Sequence, residues 1–331
     1  MSHSRLTLAI EDHGLSVPAE GRIAVFAPPA GYDLGALPHG RVDVIQHMKP
    51  DHDAFARAGY HTRLTEDGPY ALAVVVLPRA KAQARELVAR AGAVADIVVV
   101  DGQKTDGIDS LLKACKPLGE IGLTLSKAHG RLFTVSGDFS AWLPHGDTTL
   151  DGGFVTRPGV FSADGIDPAS AALAAALPSK LGPVVADLGA GWGFLSRAVL
   201  ERERVKAVHL VEADHVALTC ARANIRDPRA TFHWEDATAW APPFKADTVV
   251  MNPPFHTGRR AEPALGVAFI DTAARILTPG GHLWMVANRH LPYEAALQDR
   301  FARVDEVAGD NRFKVLCAAR PARAKRTKRV T

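Results

Sequence analysis

Apolar runs of strand length alternate with helix-like patterns through the C-terminal half of the chain. The runs are four to six residues long and the segments between them have helical spacing of apolar residues. The predicted strands are Pro183–Leu188, Ala207–Val211, Thr231–Trp234, Asp247–Met251 and His282–Ala287, and the predicted helices are Phe194–Arg204, His215–Arg226 and Pro263–Leu277. This alternation indicates an α/β domain with a parallel sheet and helices on both faces.

Three further elements complete the predicted C-terminal domain. The turn formers Pro279-Gly280-Gly281 are expected to end the third helix. A further helix is predicted near Tyr293–Asp299. A closing strand is predicted over Arg312–Ala318 and is expected to run antiparallel to the others.

The N-terminal half repeats this order with weaker turn signals. Its predicted strands are Arg22–Ala27, Val42–Gln46, Leu72–Leu77, Asp96–Val100, Ile121–Leu125 and Arg131–Ser136, with helices over Ala80–Ala91 and Gly107–Cys115. The run VVVLP (Val74–Pro78) matches VVMNP (Val249–Pro253), and both precede a helix, a strand, a second helix and a final strand. We interpret this as an internal duplication of one α/β domain, with chance similarity of two α/β halves as the alternative.

Length and composition agree with two domains. At 331 residues the chain exceeds the size at which one hydrophobic core stops growing. The turn-rich segment Pro144–Gly153 is the expected boundary, which gives domains 1–150 and 151–319. With 47% apolar and 23% charged residues, the composition is that of an ordinary globular protein. The sequence contains no apolar run long enough to span a membrane and no secretion signal, so we expect a cytoplasmic protein.

The cysteine spacing and the distribution of charge indicate which bonds, metal sites and flexible segments to expect. Cys115, Cys220 and Cys317 lie far apart, which argues against a disulfide framework and a zinc site, so we expect no metal. The net charge is only +3, yet six of the last twelve residues are basic. Residues 320–331 are therefore expected to form a flexible tail, which either contacts phosphates or is simply solvated.

A glycine-rich turn follows the first C-terminal strand. In DLGAGWG, Asp187 precedes Gly189, Gly191 and Gly193, at the carboxyl edge where parallel sheets bind ligands. The spacing is G-x-G-x-G, because Phe194 occupies the last position of a dinucleotide G-x-G-x-x-G fingerprint. An acid before the glycines disfavours a phosphate and suits a zwitterionic ligand with an ammonium group.

Two acids follow the next two predicted strands. Glu212 stands at the end of the second strand, where a carboxylate can accept hydrogen bonds from both hydroxyls of a ribose. Asp236 follows the third strand and is a candidate acceptor for an adenine amino group, with Glu235 as its competitor. The alternatives are a solvated acid for Glu212 and a helix cap for Asp236.

The fourth strand ends in the tetrapeptide Asn252-Pro253-Pro254-Phe255. Two prolines cannot continue a strand, so the chain must turn at the carboxyl edge. An aromatic amine is a weak nucleophile, since its lone pair is delocalised into the ring. Hydrogen bonds from its N–H groups to Asn252 Oδ1 and the Pro253 carbonyl would orient that lone pair and stabilise developing positive charge. Phe255 can stack on the base.

These motifs together resemble the class I S-adenosylmethionine-dependent methyltransferases that act on exocyclic amines. Three segments point to one family within this class: NPPFH, Arg157–Ser162 (RPGVFS) with Asp164-Gly165, and Asn311–Val315 (NRFKV). They resemble the bacterial small-subunit rRNA guanine-N2 methyltransferases, the RsmC family. That family has two tandem, doubly wound, Rossmann-like methyltransferase domains, of which the N-terminal one is degenerate.

The resemblance implies a cofactor, a substrate and their contacts. S-adenosylmethionine, released as S-adenosylhomocysteine, is the expected cofactor, and guanosine in rRNA or the small ribosomal subunit is the expected substrate. The implied cofactor contacts are Asp187, Gly189, Ala190, Gly191, Glu212, Ala213, Asp236, Ala237 and Asn252. Asn252, Pro253, Pro254 and Phe255 are expected to hold guanine, and Phe161, His256 and Lys314 are candidate substrate contacts. We expect a monomer that contacts no membrane.

The N-terminal copy lacks the chemical motifs. FAPPAGYD replaces the glycine turn, and Leu77-Pro78 replaces Asn-Pro-Pro-Phe. We expect this copy to bind no cofactor and either to support folding of the catalytic domain or to hold RNA. Candidate RNA contacts are Arg79, Lys81, Lys104 and Lys127, although each could equally be a solvated charge.

These motifs do not determine which substrate molecule carries the amine. NPPF also occurs in enzymes that methylate adenine N6, cytosine N4 and the side-chain amide of protein glutamine. A non-catalytic RNA-binding scaffold is an alternative of a different class. The presence of both Glu212 and the NPPF tetrapeptide argues against a scaffold, which would need neither.

Overall fold

A computed structural model of the chain describes residues 4–254, 256–257, 260–261 and 263–322, with the backbone alone at 256–257 and 260–261. The chain divides into two compact units, Met1–Asp147 and Thr148–Thr331. Phe255 and the side chain of His256 lie outside the described residues, as do residues 323–331 of the predicted tail.

The first unit contains a seven-stranded mixed sheet with helices on both faces. Its helices are α1 (Arg5–Glu11), α2 (Lys49–Arg57), α3 (Lys81–Val94) and α4 (Ile108–Cys115). Its strands are β1 (Ile23–Phe26), β2 (Val42–Ile45), β3 (His61–Arg63), β4 (Leu72–Val76), β5 (Val98–Gln103), β6 (Gly119–Lys127) and β7 (Gly130–Gly137). The strand order is β3-β2-β1-β4-β5-β7-β6, with β7 antiparallel to both of its neighbours.

The second unit contains five α-helices and a second seven-stranded sheet among the described residues. The helices are α5 (Pro168–Ala176), α6 (Phe194–Leu200), α7 (His215–Asn224), α8 (Pro263–Ile276) and α9 (Tyr293–Gln298). Short ribbons are formed by β8 (Thr148–Thr149) with β9 (Val155–Thr156), and by β14 (His256–Thr257) with β15 (Arg260–Ala261). The sheet strands are β10 (Val184–Leu188), β11 (Ala207–Glu212), β12 (Ala230–Trp234), β13 (Ala246–Met251), β16 (Leu277–Asn288), β17 (Phe301–Gly309) and β18 (Phe313–Pro321).

The sheets of the two units have the same topology. The second runs β12-β11-β10-β13-β16-β18-β17, which is the order of the first sheet with corresponding strands in every place. The closing strand β18 pairs antiparallel with β16, as predicted for residues 312–318. Two Rossmann-like α/β domains of one architecture are therefore present, and the duplicated fold predicted from the sequence is confirmed.

Strand register corrects the predicted alignment of the two halves by one residue. Three central strands of the first sheet have counterparts in the second sheet, and the residues at their carboxyl ends correspond. The pairs are Phe26 with Leu188, Ile45 with Val211, and Val75 with Met251. Val75 and Met251 both lie in the core layer beneath the second pair of helices of their unit. A shift of one residue would turn every side chain to the opposite face. Val76, rather than Leu77, therefore corresponds to Asn252.

Two other expectations about element ends were wrong. Pro279-Gly280-Gly281 does not end a helix, because α8 ends at Ile276 and β16 begins at Leu277. The turn formers lie inside β16, where the pairing with β13 shifts between Ala246 and Thr248. The last strand continues to Pro321, so the first residues of the predicted tail belong to the sheet.

The cores explain why these elements form. Strands such as β4 (LAVVV) are apolar throughout, because both faces of a parallel sheet are covered by helices. In α8 the buried residues recur with helical spacing and pack on one face of the second sheet: Gly266, Phe269, Ile270, Ala273 and Ile276. Leu173, Leu195 and Leu218, from α5, α6 and α7, pack on the opposite face.

Candidate active site

The glycine turn joins β10 to α6 at the carboxyl edge of the second sheet. Gly189 and Gly191 have φ angles of 73° and 56°, in the left-handed region that favours glycine. A Cβ atom added at Gly191 would meet nothing within 4 Å, so the backbone there is open to a ligand. The turn therefore lets a bound molecule approach the main chain closely.

Asp187 lies beneath this turn and is completely buried. Its Oδ2 accepts a 2.7 Å hydrogen bond from the Ser196 hydroxyl, while its Oδ1 has no partner among the described residues. Burial raises the pKa of Asp187 to about 7. A buried carboxyl oxygen without a partner is costly unless a ligand supplies one. The site therefore suits a group with positive charge.

Glu212 closes the same region from the end of β11. Its Oε2 accepts the Gly191 N–H at 2.7 Å, and its Oε1 accepts the Asp214 N–H at 2.8 Å. Burial raises the pKa of Glu212 to about 7, against the lowering effect of these backbone hydrogen bonds. Because each carboxylate oxygen has a further lone pair, Glu212 can still accept two hydroxyl donors. The alternative of a solvated acid does not fit this half-buried, doubly bonded group.

Asp236 stabilises a tight turn after β12. Its Oδ1 accepts hydrogen bonds from the backbone N–H of Thr238 at 2.8 Å and from the Thr238 hydroxyl at 2.7 Å. Among the described residues no helix begins here, so Asp236 stabilises a hydrogen-bonded turn over residues 237–239 and is not the helix cap considered as its alternative. This turn uses one carboxylate oxygen and leaves Oδ2 for a further donor. The neighbouring Ala237 is buried, and Glu235 is exposed.

Asn252 follows the last residue of β13 and has a fixed side-chain orientation. Its Nδ2 donates to Asp167 Oδ2 at 3.0 Å and to Ser170 Oγ at 2.9 Å. A carboxylate only accepts hydrogen bonds, so the amide must present its NH₂ group to Asp167. Oδ1 is bonded to neither Asp167 nor Ser170 and is the acceptor left for a substrate. Pro253 is buried and Pro254 is exposed.

Asn252 and the glycine turn share one cleft. Its lining includes Phe161, Asp167, Ser170, Gly189, Gly191, Trp192 and Asn252. Phe161 is 60% exposed, which is unusual for a large aromatic residue. The Trp192 indole N–H donates to the Phe161 carbonyl at 3.0 Å and holds this segment to the glycine turn. The structure thus brings an exposed aromatic ring and the Asn252 amide to the same opening.

Lys314 is nearly buried and lies in the sheet beside Ala287. Its Nζ lies 2.5 Å from Glu294 Oε1, in the first turn of α9. Arg131, which holds the corresponding place in the first unit, pairs with Asp109 in the first turn of α4 at 2.7 Å. The repeated ion pair indicates that Lys314 ties a helix to the sheet, and its contact with substrate stays a prediction.

Asp167 and Ser170 are site residues that the sequence analysis missed. Asp167 caps α5, where its Oδ2 accepts the Ser170 N–H at 2.8 Å. The signal was present, since Asp-Pro before an alanine-rich run is a typical helix start. The contact with Asn252 spans 85 positions and has no local signature.

The sequence model of the methyltransferase small domain family matches residues 151–317. The chain belongs to this family. Large-subunit rRNA methyltransferase G of Streptomyces avermitilis is 36% identical over 54% of this chain and 48% of its own length. The chain therefore spans about half the length of that relative. Small-subunit rRNA methyltransferase C of Shewanella sp. (strain MR-4) is 26% identical over 86% of this chain and 91% of its own length.

A solved structure matches both units. It is the T. thermophilus 16S rRNA N2 G1207 methyltransferase RsmC in complex with AdoMet and guanosine, with a TM-score of 0.77 and 26% identity over 92% of this chain and 90% of that chain. The family match and this structure confirm the expected RsmC-like class I methyltransferase fold and S-adenosylmethionine as the cofactor.

Among the described residues, no helix is long and apolar enough to cross a membrane. Within the same residues, no group of three or more histidine, cysteine, aspartate and glutamate side chains could hold a metal ion.

Proposed function

We propose that this chain transfers the methyl group of S-adenosylmethionine to the exocyclic N2 amine of a guanosine in rRNA. The observation that carries the proposal is the Asn252 side chain. Its NH₂ group is engaged by Asp167 and Ser170, which leaves Oδ1 as an acceptor in the cleft beside the glycine turn. An amine held there would face the place where the turn admits the cofactor.

The cofactor would lie along the carboxyl edge of the second sheet. Glu212 would accept hydrogen bonds from the ribose hydroxyls, and Asp187 would lie beneath the ammonium group. Asp236 would accept from the adenine amino group through Oδ2, the oxygen not bonded to Thr238. Ala190, Ala213 and Ala237 would line the pocket, and Asn252 would contact the cofactor from the substrate side.

The protein's part in the chemistry is orientation and charge stabilisation. S-adenosylmethionine supplies an electrophilic methyl group. Asn252 Oδ1 and the Pro253 carbonyl would accept the two N–H groups of the guanine amine, which turns its lone pair toward the methyl group. The same acceptors would stabilise positive charge as the new N–C bond forms. The amine proton would then pass to water, and no general base is required.

Aromatic contacts would fix the plane of the base. Phe161 is exposed at the cleft and can stack on guanine, and Phe255 is proposed to do so from the tetrapeptide. His256 and Lys314 are proposed as outer substrate contacts. In the free protein the Lys314 ammonium group pairs with Glu294.

The relatives favour rRNA over the other amine substrates. The relatives described above are named as rRNA methyltransferases of the small or large subunit, and the T. thermophilus structure contains guanosine. Small-subunit RNA is the preferred substrate, because the RsmC relatives match this chain along most of its length. Adenine N6, cytosine N4, protein glutamine and a non-catalytic scaffold remain the alternatives for experiment.

The first unit is proposed to act without cofactor, as a platform for RNA or a folding partner of residues 151–319. Gln46 replaces the ribose-binding acid, and both ends of its amide bond to the protein: Nε2 donates to the Pro28 carbonyl at 2.7 Å and Oε1 accepts the Met48 N–H at 2.8 Å. Arg79, Lys81, Lys104 and Lys127, and the tail from residue 320, are the candidate RNA contacts.

A direct assay tests the function. Purified full-length protein is incubated with methyl-labelled S-adenosylmethionine and with small or large ribosomal subunit RNA that lacks the modification, and the RNA is digested to nucleosides for mass spectrometry. We expect labelled N2-methylguanosine from small-subunit RNA. Label in N6-methyladenosine or N4-methylcytidine would contradict the proposal, and label from large-subunit RNA alone would reassign the substrate.

A further inference from the structure

Asp167 and Ser170, at the first turn of α5, contact the amide of Asn252 from outside the tetrapeptide. We propose that they are positioning residues for methyl transfer: they fix the orientation of the Asn252 amide and increase the negative charge on its Oδ1. The inference rests on the proposed function, since it concerns the acceptor of the substrate amine.

The three side chains form a closed set of hydrogen bonds. Asp167 Oδ2 accepts from Asn252 Nδ2 at 3.0 Å and from the Ser170 N–H at 2.8 Å, and Ser170 Oγ accepts from the same Nδ2 at 2.9 Å. Ser170 is buried, and Asp167 and Asn252 are half-buried. Both protons of the Asn252 NH₂ group thus have acceptors, so rotation of the amide by 180° would place an oxygen against the Asp167 carboxylate.

The charge of Asp167 also affects the opposite end of the amide. A carboxylate that accepts from Nδ2 favours the amide resonance form with negative charge on Oδ1, and coupled hydrogen bonds of this kind strengthen one another. Oδ1 therefore becomes a stronger acceptor for an N–H that gains positive charge in the transition state. A neutral residue at position 167 could hold the amide but would polarise it less.

The first unit has an equivalent helix cap but no equivalent of the contact between that cap and Asn252. There α1 begins in the same way, with the Ser4 hydroxyl accepting the Thr7 N–H at 3.1 Å. The residue that corresponds to Asn252 is Val76, which has no amide to hold. A helix start in this place is thus stable without a link to the fourth strand. The link in the second unit serves the Asn252 side chain rather than the helix.

Asp167→Asn is the primary test, because asparagine caps helices as well as aspartate and only the charge is lost. We expect the rate of methyl transfer to rRNA at saturating S-adenosylmethionine to fall about tenfold to hundredfold, the range for hydrogen bonds to charged groups. The dissociation constant of S-adenosylmethionine should change less than about threefold. Asp247→Asn is the matched control, since its Oδ2 also accepts a backbone N–H, from Val184, remote from the cleft. The control should keep the wild-type rate.

A double-mutant cycle separates positioning from a merely structural role. In an Asn252→Ser background there is no amide to orient, so adding Asp167→Asn should cost nothing further. Ser170→Ala removes one acceptor of Nδ2 and should lower the rate less than Asp167→Asn. If Asp167→Asn failed to fold, Ser170→Ala would take its place in the cycle.

The outcomes are distinguishable. A wild-type protein that methylates no rRNA contradicts the proposed function, whatever the variants do. An active wild-type protein with an equally active Asp167→Asn variant overturns the positioning role alone. The same holds if Asp167→Asn weakens S-adenosylmethionine binding about tenfold or more, which would make it a cofactor ligand. An undiminished effect in the Asn252→Ser background also overturns it.

Discussion

Gln46 in the first unit stands at the sheet position that Glu212 occupies in the second. Both accept an N–H from the residue two positions on, Met48 and Asp214 respectively, at 2.8 Å. The other end of each side chain differs. Glu212 accepts the Gly191 N–H, whereas Gln46 donates to the Pro28 carbonyl. The first unit thus has the same backbone turn after its second strand but lacks the acceptor pair for a ribose.

The full-length protein is expected to bind one S-adenosylmethionine per chain. The buried Gln46 amide is satisfied internally, and a ribose would have to break those bonds to replace them. Isothermal titration calorimetry of the intact chain measures the stoichiometry, with Glu212→Ala as a control that should lose the single site. Two sites of similar affinity would show that the first unit is not degenerate.

Glu212→Ala should weaken S-adenosylmethionine binding without changing which nucleotide is methylated. Two ribose hydroxyls would lose a charged acceptor worth about 1.5–3 kcal/mol, which predicts a rise of about tenfold to hundredfold in the dissociation constant. Glu201→Ala is the matched control, because Glu201 is an exposed acid at the end of α6 with no proposed ligand contact. An unchanged titration curve for Glu212→Ala would return Glu212 to a structural role.

Cofactor affinity should fall as the pH falls through about 7. Burial raises the pKa of Asp187 and of Glu212 to about 7, from ordinary values of 3.8 and 4.5. An ammonium group and ribose hydroxyls favour the ionised forms, so below that pH the binding must release protons. Titration by calorimetry between about pH 8 and pH 6 should show the dissociation constant rising, by up to about tenfold per pH unit for each carboxyl group. A pH-independent constant would contradict this account.

The stability of the free protein should depend on pH in the opposite sense. A carboxyl group whose pKa is higher in the folded than in the unfolded state stabilises the fold at pH values below its unfolded pKa. That contribution is lost as the pH rises through about 7. Asp187→Asn removes the contribution of Asp187 to this pH dependence. The Tm of the variant should therefore fall less than the Tm of the wild type between about pH 5 and pH 8.

Asn252→Ala should strongly reduce the rate of methyl transfer while cofactor binding is largely kept. The loss of one acceptor for a charge that develops in the transition state costs about 2.7–4 kcal/mol by analogy with oxyanion-hole donors, or a factor of about 100–1000 in rate. A radiolabel assay on rRNA gives the rate and calorimetry gives the affinity. Activity above about a tenth of the wild-type value would remove Asn252 from the proposed mechanism.

Most strands were predictable from the sequence because they are short apolar runs between turn formers. The elements that were missed have other patterns. The edge strand β17 (FARVDEVAG) is mostly exposed or half-buried and highly charged, and α5 (PASAALAAA) is so rich in alanine that no polar face marks it. In the first unit α1, α2 and β3 were also missed. Of these, α2 and β3 are short and mostly polar.

The candidate site was predictable where the chemistry is local. The glycine turn, Glu212 and the Asn252 tetrapeptide are each short motifs at strand ends, and parallel strands bring such ends to one edge. The partners of Asn252 were not predictable, because Asp167 approaches it across a long stretch of sequence and looks like an ordinary helix cap. The one-residue error between VVVLP and VVMNP had a similar cause, since only the face of each strand fixes its register.

The central claim is that this chain methylates guanine N2 in rRNA, and nucleoside analysis of rRNA from a deletion strain tests it most directly. Small-subunit RNA from the deletion strain should contain less N2-methylguanosine than RNA from the wild-type strain. The wild-type gene should restore that nucleoside, and the Asn252→Ala gene should not. An unchanged N2-methylguanosine content after deletion, or the loss of a methylated adenosine or cytidine instead, would contradict the account.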